Sequence, residues 1–238
     1  MPDQLVLAVA QPPCVAGDVS ANAVAHAVLI RAAAARVVVF PELSITGYEL
    51  DTALVEPDDP RLAPLVDTCA MTGTTALIGA PVAGPHIGML AVDASGVSVV
   101  YRKVHPGVVE ARRFEPGPGP EVLEVAGWRL GLAVCRDTGI ASHAARTAAL
   151  GVDAYVAGLV DHAGEDVVQE ERALRIAADH RVWVAFASFA GPTGGGFADT
   201  AGRSGIWSPD GMLIDRADRS PGGIACATLT RYQGLRAG

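Results

Sequence analysis

A continuous run of apolar residues, Val37-Val38-Val39-Phe40, constrains the fold of this chain more than any other feature. A strand with one solvated face alternates apolar and polar residues, whereas an unbroken β-branched run needs apolar cover on both faces. The run stops at Pro41, which has no N–H to donate to a sheet. The pattern therefore predicts a doubly buried strand with a loop at its carboxyl end.

The rest of the chain mixes similar strand patterns with helical ones. Strand patterns cover residues 5–10, 75–80, 89–92, 97–101, 122–125, 129–134, 154–159, 182–188, 204–207 and 225–229, and helical patterns cover 20–35, 61–71, 140–150 and 166–180. The first helical pattern opens on Ser20, a favourable N-cap. Half of the 238 residues are apolar, which allows a substantial core. We expect one domain over residues 1–238, with helices packed outside β-sheets.

Composition argues against several functional classes. The net charge is −8 and no basic cluster is present, so we expect no nucleic-acid partner. No apolar run approaches the roughly twenty residues that span a bilayer, and the N-terminus lacks a secretory signal pattern, so we expect a cytoplasmic protein without a membrane partner. The four cysteines are scattered, without C-x-x-C pairing or a histidine cluster. This spacing predicts reduced thiols, no metal site and no cofactor.

Three chemically competent side chains follow strand patterns: Glu42, Lys103 and Cys135. Catalytic groups on mixed α and β scaffolds concentrate at strand ends, where loops converge on a pocket. Taken singly, each residue has an ordinary explanation, since Lys and Glu are mostly exposed and a free Cys is mostly core. Taken together they suit one chemistry, because a thiol nucleophile needs a base and the oxyanion it creates needs a cation.

Three segments carry a resemblance to a known family. Residues 39–48 (VFPELSITGY), 101–105 (YRKVH) and 132–137 (LAVCRD) resemble the glutamate, lysine and cysteine motifs of the nitrilase (carbon–nitrogen hydrolase) superfamily. Their order and their spacings, 61 residues from glutamate to lysine and 32 from lysine to cysteine, are also similar to the family's. The resemblance implies an α+β fold, a four-layer α-β-β-α sandwich, assembled as a homodimer or a higher homo-oligomer.

The resemblance also implies roles for individual residues. Cys135 would be the nucleophile, Glu42 the general base and Lys103 the oxyanion stabiliser, assisted by the backbone N–H of Arg136. Glu110 matches the family's second glutamate, which implies that it orients Lys103. Tyr48 either lines the entrance of the site or simply packs.

The chain departs from the family pattern at a few positions. Residues 175–179 read Arg-Ile-Ala-Ala-Asp where the family usually has Arg-Ala-x-Glu-Asn, and Ser188 stands where Asn is common. After the cysteine, Arg136 replaces the usual aromatic or small residue. A guanidinium there either receives a substrate carboxylate or pairs with Asp137 or another acid, and both alternatives stay open.

We therefore expect a cysteine-dependent hydrolase of non-peptide C–N bonds. The leading hypothesis is a small-molecule amidase that releases ammonia or an amine through an acyl-enzyme on Cys135. The alternatives are an N-carbamoyl amide hydrolase or an acyltransferase of the same superfamily, or a non-catalytic binding subunit on the same fold.

Overall fold

The structure is a computed structural model that describes residues 3–231. Its strands are β1 (Gln4–Ala10), β2 (Val37–Val39), β3 (Thr75–Val82), β4 (His86–Asp93), β5 (Gly96–Arg102), β6 (Val122–Val125), β7 (Trp128–Val134), β8 (Ala154–Leu159), β9 (Trp183–Ser188), β10 (Gly205–Trp207), β11 (Leu213–Arg216) and β12 (Ile224–Thr230). Its α-helices are α1 (Val19–Ala33), α2 (Ala63–Thr72), α3 (Arg136–Gly139), α4 (Ala141–Ala148) and α5 (Asp166–His180).

The strands form two six-stranded sheets. The first has the order β12-β1-β2-β3-β4-β5, and the second has the order β11-β10-β9-β8-β7-β6. Strands β1, β2 and β3 are parallel, as are β7, β8 and β9, and the outer strands pair antiparallel.

Side-chain alternation along the buried strands builds the layers. Val37 and Val39 enter the core between the two sheets, whereas Val38 faces the apolar side of α1 and α2. In the second sheet, Leu132 and Val134 face the first sheet, and Ala133 joins the cluster formed with α4 and α5. Helix, sheet, sheet and helix therefore stack in that order, which confirms the predicted four-layer sandwich.

Strand direction brings three strand ends together. Strand β5 runs parallel to β2, because β3 is parallel to β2 and two antiparallel pairings separate β3 from β5. The carboxyl ends of β2 and β5 therefore lie at the same end of the first sheet. Glu42 follows β2, and Lys103 follows β5. Strand β2 also lies against β8 of the facing sheet, the parallel neighbour of β7, after which Cys135 follows.

Some local elements differ from the predictions. Helix α1 begins one residue before Ser20, and its cap is Asp18, whose Oδ1 accepts a 3.0 Å hydrogen bond from Ala21 N. Helix α3 was not predicted, since four residues are too few to show a helical period. Strand β11 was also missed, because its side chains are exposed or half-buried and carry no clear alternation. None of the helices within residues 3–231 is long and apolar enough to cross a membrane.

A buried histidine links α1 to the loop after β2. His26 Nδ1–H donates to Asn22 O at 2.7 Å, so the ring presents Nε2 as an acceptor to Ser44 Oγ–H at 2.9 Å. Burial lowers the pKa of His26 to about 4, and the ring stays neutral at physiological pH. Ser44 lies two residues beyond Glu42, so this contact fixes the segment that carries the carboxylate.

We predict that His26 makes the fold sensitive to mild acid. The unfolded state binds a proton on this ring near pH 6.5, whereas the folded state resists it until about pH 4, so stability falls as the pH falls through that window. The free energy of unfolding should drop by about 2 kcal/mol between pH 7 and pH 5 on this account. Denaturant titrations at both pH values measure it.

The control is His26→Gln, which can donate to Asn22 but does not titrate. This variant should be less stable at pH 7 and should lose most of the pH-dependent difference. An unchanged difference in His26→Gln would assign the acid sensitivity to other groups.

Candidate active site

The loop that carries Glu42 is wedged between the two sheets. A Cβ added to Gly79 on β3 would lie 2.3 Å from Leu43 N, and one added to Gly158 on β8 would lie 2.6 Å from Phe40 O. Only glycine leaves room for backbone at such distances. Leu43 itself has a φ of 51°, an uncommon conformation for a branched residue. Two glycines on facing strands thus set the depth at which Glu42 enters the interior.

Cys135 sits on a strained turn between β7 and α3. Its φ and ψ are 40° and −100°, a conformation that costs on the order of 1–3 kcal/mol for a non-glycine residue. Three hydrogen bonds hold it there: Cys135 N donates to Gly158 O at 2.9 Å, and Cys135 O accepts from Thr138 N at 2.9 Å and from Thr138 Oγ1 at 2.7 Å. The thiol lies 3.4 Å from Val160 O. Such a turn lifts the side chain clear of the strand.

Lys103 lies between two carboxylates. Its Nζ is 2.6 Å from Glu42 Oε1, and it is 2.9 and 2.7 Å from the two carboxylate oxygens of Glu110. The residues are only 1%, 0% and 4% exposed, respectively, so water screens this ion-pair network very little. The three donors of an ammonium are used on acceptors that neutralise it.

Glu42 has one oxygen free for further chemistry. Oε1 accepts from Lys103, whereas Oε2 is buried and has no partner that meets ordinary hydrogen-bond geometry within residues 3–231. The Cys135 thiol is nevertheless near enough to act on this carboxyl and lower its pKa. One carboxylate thus interacts with both the ammonium and the thiol.

The pKa values of the side chains in this cluster determine which of them carry a proton. Burial raises the pKa of Glu42 to about 8, against the opposing effect of Lys103. Burial, with the charges of Glu42 and Asp161, also raises the pKa of Cys135 well above its usual value. Burial alone would lower the pKa of Lys103, but the charges around it, Glu42 first and Glu110 after it, raise that pKa instead. Burial alone would also raise the pKa of Glu110, but Lys103 lowers it, so the Lys103–Glu110 pair stays ionised. The thiol is therefore neutral at rest.

Glu110 is held by more than the lysine. Tyr48 donates its hydroxyl hydrogen to Glu110 Oε1, and Gly107 N donates to Oε2 at 2.5 Å. The sequence placed Tyr48 at the entrance or in packing, and this contact with Glu110 was not predicted. No local pattern joins the two, since 62 residues separate them along the chain.

Comparison with known proteins identifies the family of this chain. The carbon-nitrogen hydrolase family profile matches residues 6–236. The chain belongs to the carbon-nitrogen hydrolase family. This match confirms the resemblance to the nitrilase superfamily that the glutamate, lysine and cysteine motifs indicated.

Individual relatives agree with the family assignment. A Pseudomonas protegens protein named "Hydrolase in pqqF 5'region" is 28% identical over 201 residues, 79% of this chain and 70% of the relative. A mutant amidase from Nesterenkonia sp. AN1, with acrylamide added at its active-site cysteine, has a TM-score of 0.84 at 21% identity, covering 94% of this chain and 93% of its own. Nit3 of Saccharomyces cerevisiae has a TM-score of 0.84 at 19% identity, covering 97% and 91%. At these identities the two structures establish the fold.

Arg136 is the first residue of α3 and is exposed. The alternative pairing with Asp137 is wrong for this carbon-nitrogen hydrolase, because the Asp137 carboxylate is fully buried and faces donors in other segments. Within the described part of the chain, the Arg136 guanidinium has no hydrogen-bond or ion-pair partner. The other role predicted for Arg136, recognition of a substrate carboxylate, stays a prediction.

Ser188, which departs from the family pattern, and Arg175, which matches it, both make internal contacts. Ser188 Oγ accepts from Gln169 Nε2 at 2.9 Å, and Arg175 Nη2 donates to Thr138 O at 2.6 Å. The second contact ties α5 to the turn behind Cys135. No group of three or more His, Cys, Asp or Glu side chains in residues 3–231 could hold a metal ion.

We predict that Gly158→Ala damages the site through the Glu42 loop. The new methyl group would lie 2.6 Å from Phe40 O and 2.8 Å from Glu42 N, and backbone cannot yield as a flexible side chain does. The free energy of unfolding should fall by about 1–3 kcal/mol, and hydrolysis should slow further because Glu42 shifts. Denaturant unfolding and steady-state rates measure the two effects.

Gly139→Ala is the matched control. Its nearest neighbour would be the Arg172 side chain at 3.4 Å, an ordinary contact that can move. Stability and rate should both stay close to wild type. If Gly158→Ala behaved like Gly139→Ala, the glycine would not set the position of the loop.

Proposed function

We propose that this carbon-nitrogen hydrolase is a small-molecule amidase that works through an acyl-enzyme on Cys135. One observation carries the proposal: the buried Glu42 carboxylate uses one oxygen for Lys103, its other oxygen has no hydrogen-bond partner among the described residues, and the Cys135 thiol is near enough to lower the pKa of this carboxyl. A base next to a nucleophile and a cation next to both are what acyl transfer to a thiol requires.

In the first half of the reaction, ionised Glu42 accepts the thiol proton as the sulfur attacks the amide carbon. The C=O electron pair moves to oxygen, and the resulting oxyanion is held by the Lys103 ammonium and by the N–H of Arg136. That N–H is the first of α3 and donates to no backbone carbonyl among the described residues. The C–N bond then breaks as Glu42 returns the proton to the departing nitrogen, and ammonia or an amine leaves.

In the second half, water replaces the amine. Glu42 accepts a proton from the water as the water oxygen attacks the thioester carbon, and Lys103 again stabilises the oxyanion. The C–S bond breaks, the sulfur recovers the proton from Glu42, and a carboxylic acid is released. The same carboxylate acts as base and acid in both halves.

Glu110 acts on Lys103 in this scheme. By holding the ammonium through both carboxylate oxygens, it keeps the cation charged and limits the motion of Nζ. The Tyr48 hydroxyl fixes the orientation of Glu110 in turn. Support for an amide substrate comes from the Nesterenkonia sp. AN1 amidase, a mutant of which has been solved in complex with butyramide.

We predict that Cys135 alone carries a covalent intermediate. Intact-protein mass spectrometry after incubation with small amides, ω-amides and N-carbamoyl amino acids should show an acyl adduct, with ammonia release, in the wild type. Cys135→Ala should show neither, with turnover reduced by about 10⁴-fold or more. Cys226→Ser, which changes a half-buried thiol on strand β12, should behave as the wild type.

The panel also separates the alternatives. Turnover confined to N-carbamoyl substrates would indicate a carbamoylase, and product only with an added amine acceptor would indicate an acyltransferase. Amides with and without a carboxylate test Arg136: Arg136→Ala should selectively slow the carboxylate-bearing ones if it recognises that group. An adduct that survives in Cys135→Ala, or no adduct and no ammonia with any substrate, would contradict the amidase proposal.

A further inference from the structure

A further buried carboxylate, Asp137, lies outside the ion-pair network of Glu42, Lys103 and Glu110. Asp137 is 0% exposed. It accepts hydrogen bonds from Tyr101 Oη at 2.7 Å, Val104 N at 3.4 Å, His105 N at 2.9 Å, His105 Nδ1 at 2.9 Å and Val134 N at 3.2 Å. Five donors therefore converge on one side chain.

The positions of these donors along the chain are informative. Tyr101, Val104 and His105 lie on both sides of Lys103, at the end of β5. Val134 immediately precedes Cys135, and Asp137 follows two residues after it. The carboxylate thus joins the segment that carries the ammonium in one sheet to the turn that carries the thiol in the other.

Further hydrogen bonds hold the tyrosine in one orientation. Because a carboxylate only accepts, Tyr101 must donate its hydroxyl hydrogen to Asp137. His143 Nε2–H then donates to Tyr101 Oη at 2.8 Å, and His143 Nδ1 accepts from Tyr155 Oη at 3.0 Å. Each residue therefore donates to the next, from Tyr155 on β8 through His143 on α4 and Tyr101 on β5 to Asp137.

Such a carboxylate is costly to bury. Removing an ionised group from water costs several kcal/mol unless hydrogen bonds compensate, and an apolar side chain of similar size would cost less. The side chain of Asp137 has no arginine or lysine within ion-pair distance in the described structure; its one ion-pair contact is His105. The five hydrogen bonds fix the position of the Asp137 carboxylate, and removing that carboxylate from water costs free energy.

We propose that Asp137 is a positioning residue that fixes Lys103 Nζ relative to Cys135 Sγ. In this geometry the sulfur attacks the amide carbon while the resulting oxyanion lies at the Lys103 ammonium. This inference rests on the amidase mechanism proposed above. Because a displacement of about 1 Å in a reacting group can cost 10²-fold in rate, loss of the junction should act on the chemical step.

The test is Asp137→Asn, which keeps the shape and removes one acceptor oxygen. Active sites are counted by stoichiometric labelling of Cys135, and kcat is expressed per labelled site. We expect kcat per site to fall at least tenfold with KM changed by less than about threefold. A residue with a merely structural role would lower the number of sites or the melting temperature and leave kcat per site unchanged.

Two tyrosine variants make the test robust if Asp137→Asn folds poorly. Tyr101→Phe deletes one of the five donors and should lower kcat per site severalfold. Tyr155→Phe deletes the far end of the hydrogen-bond chain, which leaves every donor to Asp137 in place, and should reduce only the melting temperature. Wild-type kcat per site in Asp137→Asn, or in Tyr101→Phe where the first variant does not fold, would overturn the proposal.

A second readout separates this inference from the amidase proposal. The rate at which iodoacetamide alkylates Cys135 depends on Glu42 and Lys103 but not on turnover of an amide. If the wild type hydrolyses no amide, alkylation should still slow at least tenfold in Asp137→Asn and stay unchanged in Tyr155→Phe. Equal alkylation rates in all three proteins would refute the positioning role on its own.

Discussion

The structure depends on a buried ammonium shared by two carboxylates. Lys103 could not remain charged at 1% exposure without Glu42 and Glu110, and neither carboxylate has another cation within ion-pair distance in the described structure. The three residues come from the ends of β2 and β5 and from the loop that follows β5. Their convergence therefore requires the strand order of the first sheet, and the position of Cys135 requires the second sheet to face it closely.

In the proposed mechanism, this arrangement also determines how the thiol is activated. Reactive cysteines usually have a lowered pKa, but burial raises the pKa of Cys135 despite the nearby lysine. A standing thiolate is therefore unfavourable, and the proton must leave as the sulfur attacks. Glu42, with a pKa of about 8, is matched to that transfer near neutral pH. The strained backbone of Cys135 and the two glycines that admit the Glu42 loop serve the same close approach.

The main features of the fold could be predicted from the sequence in two ways. Local patterns, such as unbroken β-branched runs, marked the buried strands and the flanking helices. The four-layer sandwich was implied by the resemblance of the motifs around Glu42, Lys103 and Cys135 to the nitrilase superfamily. What the sequence could not reveal depends on contacts between distant segments. Buried acids such as Asp137 look like ordinary exposed residues in a sequence, and the partnership of Tyr48 with Glu110 has no local signal. Strand β11 and helix α3 were missed because one is largely exposed and the other is too short.

The central claim is that Glu42 is the base that removes the Cys135 proton, and the pH dependence of Cys135 alkylation tests it most directly. Labelling by iodoacetamide, followed by mass spectrometry in the wild type and in Glu42→Gln, requires no knowledge of the substrate. The wild-type rate should rise with pH through about 8, where Glu42 ionises, and Glu42→Gln should lose that rise and react at least tenfold more slowly near neutral pH. Alkylation of Glu42→Gln at the wild-type rate and with the wild-type pH dependence would contradict the account.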